Sequence, residues 1–384
     1  MYVRVCLRSM QAACCAIIGG WGFVGAFHID NVKTAYDKPI DKTLINPKAH
    51  VFFSPVNSPL AREVVATAPK ALLQAAKDTL FYLQHKQGKY RQVLEPFQFK
   101  KIMPFSYVQA TLQFIVDTIE EDLAAGGKHF RIQDPQFLNE HFTFIKWKAD
   151  RGSAVKNNIN LPQDGNIKLT NYVVYSVAGS VRKTKSHSCA LYELLDTSLA
   201  QKFTKQQILS GIFERPAYRK KVKPLVWLSR TDFEEALMQG STLVRMPDQS
   251  FKIFMVNVCN GIPYNKKIRN PRDQKRYWYF REGKNSLQSI NEFKERLQSR
   301  QKVVFAGDIN NIGIGKIIAI RHTNPSTKQP EVHLGVLADT GGAFINNLYQ
   351  LDFFLGMYED KDSLKKQQWH FPNNTQAFLL CKKR

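Results

Sequence analysis

The stretch "LADTGGAFINNLYQLDFF", residues 337–354, puts two aspartates next to apolar, strand-like segments. Asp339 follows a run of apolar residues and leads into a Gly-Gly turn, and Asp352 lies between Leu351 and Phe353. Burying an unpaired carboxylate costs free energy, so a chain that buries two of them needs partners or a chemical use for them. The stretch therefore indicates a β-rich core with a carboxylate-based site.

A third aspartate repeats this arrangement upstream. Asp308 ends the segment "VVFAGD" and precedes "INNIGIGKIIAI", which is again rich in apolar, β-branched residues. Around the three aspartates, apolar runs and alternation predict a series of strands over 302–308, 313–321, 331–339, 348–356 and 376–382.

The rest of the chain mixes helices with strands. Apolar residues at helical spacing predict helices over 68–86, 107–125 and 286–299, and alternation predicts strands within 143–180 and 242–258. Thr204 and Gln207 form a capping box that opens a short helix, and Ser229 or Thr231 caps the next one. The predicted strands and helices do not alternate as repeated βαβ units, which argues against a Rossmann or TIM-barrel architecture.

Length and charge set broad limits on function. The chain has 384 residues, 43% of them hydrophobic, which suffices for two domains or one large domain with an insert. Its 55 basic and 32 acidic residues give a formal net charge of +23. This charge attracts polyanions, whether nucleic acid, anionic lipid or an acidic wall polymer, and does not choose among them.

Residues 1–26 have the layout of a secretory signal. Two arginines precede an uncharged stretch that ends in small residues, and cleavage after Ala26 would leave a charge of 23 − 2, or +21. Export is the working prediction. An uncleaved membrane anchor is the main alternative, because the stretch is nearly as long as a membrane-spanning helix. A lipoprotein signal and a buried core helix explain the pattern less well.

Neither the cysteines nor the acidic residues signal a metal site. The cysteines beyond the leader, Cys189, Cys259 and Cys381, are odd in number and lack CxxC spacing. Three buried thiols are the expectation, with one disulfide as the alternative. The acidic triplet 120–122 is interpreted as a solvated helix face rather than as metal ligands.

Several motifs occur in an order that resembles a known family. The segments "FTKQQILSGIF" (203–213), "PLVWLSRTDFEEALMQGS" (224–241), "MPDQ" (246–249) and "NGIPY" (260–264) precede the three-aspartate tail. Together with Asp-Thr-Gly-Gly-Ala, this order is similar to that of the membrane-bound lytic transglycosylase A family. The resemblance covers roughly residues 165–356. The family's Thr-Gly-Tyr-Tyr-x-Pro strand is absent, and "TFIKWKAD" stands in its place.

The resemblance implies a mixed, mainly β fold. The family architecture is a double-psi β-barrel with an inserted second β domain, N-terminal helices and a groove between the domains. The implied layout is a signal peptide or membrane anchor (1–26), an N-terminal extended and helical part of the barrel domain (27–149), the inserted β domain (150–262) and the C-terminal barrel part with the three aspartates (263–384).

The resemblance also implies an activity, cleavage of the β-1,4 bond between N-acetylmuramic acid and N-acetylglucosamine with formation of a 1,6-anhydro end. The sugar's own C6 hydroxyl is the nucleophile, so one carboxyl group replaces the pair that ordinary glycosidases use. By motif match Asp339 is this acid/base, and Asp308 and Asp352 supply neighbouring charge or hydrogen bonds. Burial would raise the pKa of Asp339. The alternative is that all three aspartates only cap turns.

The expected substrate-binding residues lie in the same motifs. Gly341 and Gly342 would let a sugar approach the backbone closely. Trp278, with Tyr277 and Tyr279, would stack on sugar faces or belong to the core. The other expected contacts are Gln239, Ser241, Asn260 and Tyr264.

The implied partner is the glycan strand of peptidoglycan, with an anionic membrane surface as a second partner for the positive charge. No cofactor and no metal are expected, and the implied location is the periplasm or membrane of a Gram-negative bacterium. Two other functions stay open. The basic, aromatic segment 264–281 suits nucleic-acid binding, although an export signal argues against it. A wall-binding relative that has lost the chemistry would keep the groove without the activity.

Overall fold

The fold is mixed and mainly β, as the sequence predicts. The computed structural model describes residues 45–85, 95–263, 265, 268, 270–283, 290–341, 343–366 and 371–384. Within these ranges the helices are α1 (Pro69–His85), α2 (Phe105–Ala124), α3 (Pro135–His141), α4 (Arg151–Lys156), α5 (Lys205–Leu209), α6 (Arg230–Gln239), α7 (Ile290–Gln298), α8 (Ile309–Ile312) and α9 (Lys361–Lys366).

The strands include every segment predicted in the tail. They are β1 (Phe53–Val56), β2 (Val64–Val65), β3 (Phe142–Trp147), β4 (Ile167–Ala178), β5 (Cys189–Leu194), β6 (Val222–Leu228), β7 (Ser241–Arg245), β8 (Phe251–Cys259), β9 (Trp278–Glu282), β10 (Val304–Ala306), β11 (Ile317–Thr323), β12 (Pro330–Asp339), β13 (Gln350–Tyr358) and β14 (Asn374–Lys382). All but β5 and β6 join one 12-stranded mixed sheet.

Six of these strands pair in a closed ring. β4 pairs in parallel with β13 and antiparallel with β14, so both of its edges are used. From β14 the pairings continue through β11, β12 and β10 and return to β13. β3 and β1 extend the sheet outward from β14. Closure satisfies the backbone groups that an open sheet edge would expose.

Helices α1 and α2 cover one part of this ring. Their buried residues recur at helical spacing and include Leu72, Leu83, Val108 and Leu112. They pack against the turn that leads into β11, where Gly315 has φ +86°, and a Cβ there would lie 3.0 Å from Leu83 Cδ1. Glycine is therefore needed at this turn for both its backbone angle and its close approach to the helices.

A second hydrophobic core begins where β4 leaves the ring. The end of β4, Ser176–Ala178, pairs with β7, and β8 and β9 follow as antiparallel neighbours. Helices α5 and α6 pack in this part, where Lys205 and Glu234 form a buried ion pair at 2.6 Å. β9 lies in the segment that the sequence assigned to the C-terminal barrel part, although it pairs with β8. The division at 150–262 and 263–384 stays a prediction.

The predicted helix starts are confirmed in detail. Thr204 and Gln207 form the reciprocal capping box of α5. Of the two candidates for α6, Ser229 is the N-cap, since its hydroxyl accepts the backbone N–H of Asp232 at 3.1 Å. The strand predicted to begin at residue 313 begins at Ile317 instead. The short helix α8 precedes it, followed by two glycines with positive φ at 313 and 315.

The acidic and sulfur-containing side chains follow the sequence interpretation in part. Within the acidic triplet, Glu120 and Glu121 are exposed and pair with Lys77 and Arg131. Asp122 is buried and pairs with Arg131 at 2.7 Å, so the prediction of a solvated helix face is wrong for this residue. Cys189, Cys259 and Cys381 are free thiols, although Cys259 is only half-buried. In the described ranges, no helix is both long and apolar enough to cross a membrane. The predicted leader 1–26 lies outside those ranges.

The contact between β12 and the segment leading into β10 predicts the effect of one substitution. A Cβ on Gly335 would lie 2.9 Å from the backbone oxygen of Val303 and 2.7 Å from Phe305 Cε2. Gly335→Ala is therefore expected to lower the free energy of unfolding by about 1–3 kcal/mol, measured by urea denaturation. Gly152→Ala is the matched control, because its Cβ meets nothing closer than 3.4 Å and alanine suits a helix. Equal stability of the two variants would contradict this packing.

Candidate active site

Neighbouring strands of the ring bring the three aspartates together. In the pairing registers, Ala306 of β10 lies opposite Asp339 of β12 on one side and opposite Asp352 of β13 on the other. Residues opposite each other across strands share a face of the sheet, so both carboxyl groups lie on the face of Ala306. Asp308 follows two residues after Ala306, where β10 ends.

A β-bulge sets the direction of Asp339. Phe305 pairs with Leu337, but the next residue of β10, Ala306, pairs with Asp339, so β12 holds one extra residue at this point. Bulges of this kind re-aim the side chains that follow them. The backbone N–H of Gly307 then donates to the carbonyl of Asp339 at 3.1 Å, which fixes the end of β12 against β10.

Asp339 is a buried carboxyl group whose hydrogen-bond partners are neutral. The residue is 1% exposed. Its Oδ2 accepts a hydrogen bond from the hydroxyl of Tyr172 at 2.9 Å, and its Oδ1 accepts the backbone N–H of Thr340 at 2.7 Å. Desolvation raises the pKa of Asp339 well above its ordinary value, and the charge of Asp352 adds to the rise. Both effects favour the protonated form of this carboxyl group.

Tyr172 is the site residue that the sequence did not single out. It lies on β4 opposite Phe354 of β13, and it reaches Asp339 only because β4 closes the ring. Burial and the two nearby aspartates raise the pKa of Tyr172 well above 10, so the phenol stays a hydrogen-bond donor. Its strand alternation was visible in the sequence, but nothing in that pattern distinguished Tyr172 from a core tyrosine.

Asp352 is half-buried and is held by side chains of β4 and β13. Its Oδ1 accepts hydrogen bonds from the Thr170 hydroxyl and from Gln350 Nε2, the latter at 2.9 Å. Desolvation raises its pKa, and the hydrogen bonds and the charge of Lys168 lower it in part.

Asp308 is fully buried and takes part in a different set of contacts. It precedes α8, and its Oδ2 accepts hydrogen bonds from Asn311 Nδ2 and from the backbone N–H of Asn347, both at 2.8 Å. Burial raises its pKa to about 6, against the lowering effect of these hydrogen bonds. Asp308 therefore ties β10 to the segment that precedes β13.

None of the three carboxyl groups forms an ion pair with a lysine or arginine in the described part of the chain. Buried carboxylates with cationic partners occur elsewhere, for example Asp122 with Arg131 and Glu63 with Arg321. The difference separates carboxylates with cationic partners from a cluster in which proton uptake is favoured.

The expected substrate-binding residues are spread over the second core and the segment after β12. Gln239 is half-buried at the end of α6, and its Oε1 accepts the backbone N–H of Val173 on β4 at 3.2 Å. Ser241 starts β7 and is buried, and its hydroxyl has no hydrogen-bond partner among the described residues. Gly341 follows Thr340, and the nearest atom to a Cβ there would be Phe344 Cδ2 at 3.9 Å. Gly342 lies outside the described residues.

The other expected contacts belong to the second core. Asn260 is 1% exposed, and its Nδ2 donates to the carbonyls of Phe203 and Lys275, which favours a structural role. Tyr277 and Tyr279 are fully buried, so they belong to the core as the alternative interpretation proposed. Trp278 is half-buried, with the Arg276 guanidinium 4.8 Å from its ring centre. Tyr264 lies outside the described residues.

Solved lytic transglycosylases share this fold. A membrane-bound lytic murein transglycosylase from Agrobacterium tumefaciens matches 86% of this chain and 97% of its own, with 13% identity and a TM-score of 0.54. E. coli MltA with bound chitohexaose matches 93% and 99%, with 14% identity and a TM-score of 0.55. MltA from Neisseria gonorrhoeae matches 86% and 92%, with 15% identity and a TM-score of 0.51. No family model and no curated protein sequence matches the chain. These structures confirm the resemblance that the motif order indicated, at the level of a mixed, mainly β fold shared with MltA.

The buried carboxyl of Asp308 makes stability depend on pH. Its folded-state pKa of about 6 exceeds the ordinary 3.8, so between these values the folded chain holds a proton that the unfolded chain has released. The contribution of Asp308 to the free energy of unfolding is fully present below pH 4 and is lost as the pH rises through 6. The loss amounts to about 3 kcal/mol. Asp308→Asn is expected to remove this part of the decline, because the amide does not titrate in this range, and its oxygen can still accept a hydrogen bond.

Urea denaturation at pH 4, 5, 6 and 7 measures the slope of the free energy of unfolding against pH. The control is Asp117→Asn, an exposed aspartate on α2, which should leave the slope unchanged. If Asp308→Asn and the unsubstituted protein lose stability in parallel over this range, Asp308 is not the group that titrates.

Proposed function

We propose that this protein is a peptidoglycan lytic transglycosylase that cleaves the bond between N-acetylmuramic acid and N-acetylglucosamine and forms 1,6-anhydro-N-acetylmuramic acid. The observation that carries the proposal is the carboxyl group of Asp339, which is buried at a strand end and hydrogen-bonded by Tyr172, and whose pKa is raised well above its ordinary value. The likeness of fold to lytic transglycosylases supports it.

The same carboxyl group would first donate a proton and then accept one. Protonated Asp339 donates its proton to the glycosidic oxygen as the bond from that oxygen to C1 of the muramyl sugar breaks. The C6 hydroxyl of the same sugar bonds to C1, and its proton passes to the Asp339 carboxylate. The acid form is thereby regenerated, and no water is consumed.

The neighbouring groups would set the protonation state of Asp339. A general acid must be protonated at the working pH, and burial beside a second carboxylate favours that form. Asp352 would raise the pKa by its charge, whereas the Tyr172 hydroxyl would stabilise the carboxylate that forms after proton donation. Asp308 would act indirectly, by holding the end of β10 against the segment that precedes β13.

Substrate access requires a change at the site. Asp339 is 1% exposed, so its carboxyl group must become accessible before a glycan can reach it. Phe344 is buried in one cluster with Tyr172 and Ala306, next to the aspartates. Glycan binding would therefore compete with the packing of the Phe344 side chain.

The finer architecture belongs to the same proposal. The closed ring of six strands supports a double-psi β-barrel, and the second core would be the inserted β domain, with a glycan groove between the two. Gly341, Gly342, Gln239, Ser241 and Trp278 are the contacts we propose for this groove, together with Tyr264 and Asn260. A related structure holds chitohexaose, which supports a glycan strand as the ligand. Export to the periplasm would bring the enzyme to this substrate.

Asp339→Asn tests the acid/base assignment. The amide cannot donate a proton to the leaving oxygen, so release of soluble muropeptides from purified sacculi should fall by about 10³-fold. Asp248→Asn, at an exposed turn, is the control and should retain full activity. Unchanged digestion by Asp339→Asn would refute the role of this residue.

Mass spectrometry of the products distinguishes the competing functions. Anhydro-muramyl ends are the expected result for the unsubstituted protein. Reducing ends would identify a hydrolase, and the absence of any product with retained sacculus binding would identify a wall-binding protein without catalysis.

Tyr172→Phe tests how the neighbouring phenol acts. The Tyr172 hydrogen bond lowers the pKa of Asp339, so its loss should raise that pKa further. Activity is lost as pH rises through the pKa of the acid, and the falling limb of the pH profile should therefore move to higher pH. Tyr175→Phe, three residues along β4, is the control and should leave the limb in place. If the rate falls but the falling limb of the pH profile stays at the same pH, Tyr172 has only a packing role.

A further inference from the structure

A second polar cluster lies at the opposite end of β12 from Asp339. Glu331 and His333 are in the first half of β12, and His322 is near the end of β11. We propose that His322, Glu331 and His333 form a binding site for a divalent transition metal ion, with Zn²⁺ as the preferred occupant.

The strand register places the three side chains on one face. His322 lies directly opposite Glu331 in the antiparallel pairing of β11 with β12. His333 is two residues after Glu331, so it points to the same face, because side chains alternate along a strand. The juxtaposition therefore follows from the backbone pairing and does not depend on one side-chain rotamer.

The ligand atoms are close to metal-binding distances. Oε2 of Glu331 lies 3.5 Å from Nε2 of His333 and 3.8 Å from Nε2 of His322. One donor atom from each of the three residues fits within 4.8 Å of the other two. Tetrahedral zinc with bonds of about 2.0–2.1 Å needs donor separations of about 3.3 Å, so small side-chain rotations would complete the geometry.

The polar atoms of the cluster are not satisfied by the protein alone. His333 is 7% exposed, and its Nε2, which faces Glu331, has no hydrogen-bond partner within the described ranges. His322 is equally buried, and its Nδ1, on the other side of the ring from the Nε2 that lies near Glu331, has no hydrogen-bond partner among the described residues. Buried polar groups left unpaired are costly, and a metal ion bound to Nε2 of His333 would remove part of that cost.

The surroundings suit a metal centre. Asn324 Nδ2 donates to Oε1 of Glu331 at 2.7 Å, which orients the carboxylate and leaves Oε2 toward the imidazoles. Phe371 contacts both imidazole rings, with centroid distances of 4.8 Å to His322 and 4.6 Å to His333. Two imidazoles and one carboxylate are the donor set that zinc shares with other late first-row metals.

The site is separate from the aspartate cluster. His333 and Asp339 are six residues apart on β12, which corresponds to about 20 Å along a strand. The ion would cross-link β11 to β12 beside the turn that joins them, and its expected effect is on stability. The inference does not rest on the proposed function.

Metal binding is measured on the untagged full chain after removal of metals with a chelator. Titration with Zn²⁺ should show one site, and an excess of Zn²⁺ should raise the melting temperature. His333→Gln and Glu331→Gln should each weaken this binding by about 100-fold or more. His129→Gln, at an exposed histidine, is the control and should bind as the unsubstituted protein does.

Co²⁺ provides a test that needs no variant. If the site binds as proposed, Co²⁺ should give visible absorption bands of a four-coordinate centre, and added Zn²⁺ should displace them. Absence of a stoichiometric Zn²⁺ site in the unsubstituted protein would overturn the proposal. Zn²⁺ affinity unchanged in His333→Gln would overturn it as well, because binding would then occur at other residues.

Discussion

The pairing of β4 along both of its edges is the constraint on which the rest of the structure depends. β4 closes the ring by joining β13 to β14, and its far end continues into the sheet of the second core. The same strand carries Thr170 and Tyr172, which donate hydrogen bonds to Asp352 and Asp339. Ring closure and assembly of the site are therefore one event, since a displaced β4 would leave two buried carboxyl groups without these partners.

The electrostatics of the site follow from what surrounds the aspartates. Their hydrogen-bond donors are neutral, namely hydroxyls, amides and backbone N–H groups, and no cation pairs with them among the described residues. Hydrogen bonds alone offset less of the desolvation penalty than a buried cation would, so the protonated forms of these carboxyl groups are favoured. An arrangement that lowers stability at neutral pH would also keep an acid available for the proposed proton transfer.

β12 holds polar clusters near both ends of a buried strand. Its last residue is Asp339, and its first half carries Glu331 and His333. The chemistry of the two ends differs, because hydroxyl, amide and backbone N–H groups contact the aspartates, whereas imidazole nitrogens face Glu331 at the other end. Between them the strand is apolar and packs on β10 and β11. This separation would allow one end to serve the proposed proton transfer and the other the proposed metal cross-link.

The sequence by itself determined the elements and much of the fold. Alternation and apolar runs located the tail strands, helical spacing located α1 and α2, and the Thr204–Gln207 box located α5, because these signals are local. Motif order indicated the fold and singled out the three aspartates. Only the tertiary structure decided that Tyr172 reaches Asp339, that a bulge turns Asp339 onto the face of Ala306, and that His322 meets Glu331 and His333. Those contacts depend on strand register and ring closure, which leave no trace in local periodicity; Tyr172 and Asp339, for example, are 167 positions apart.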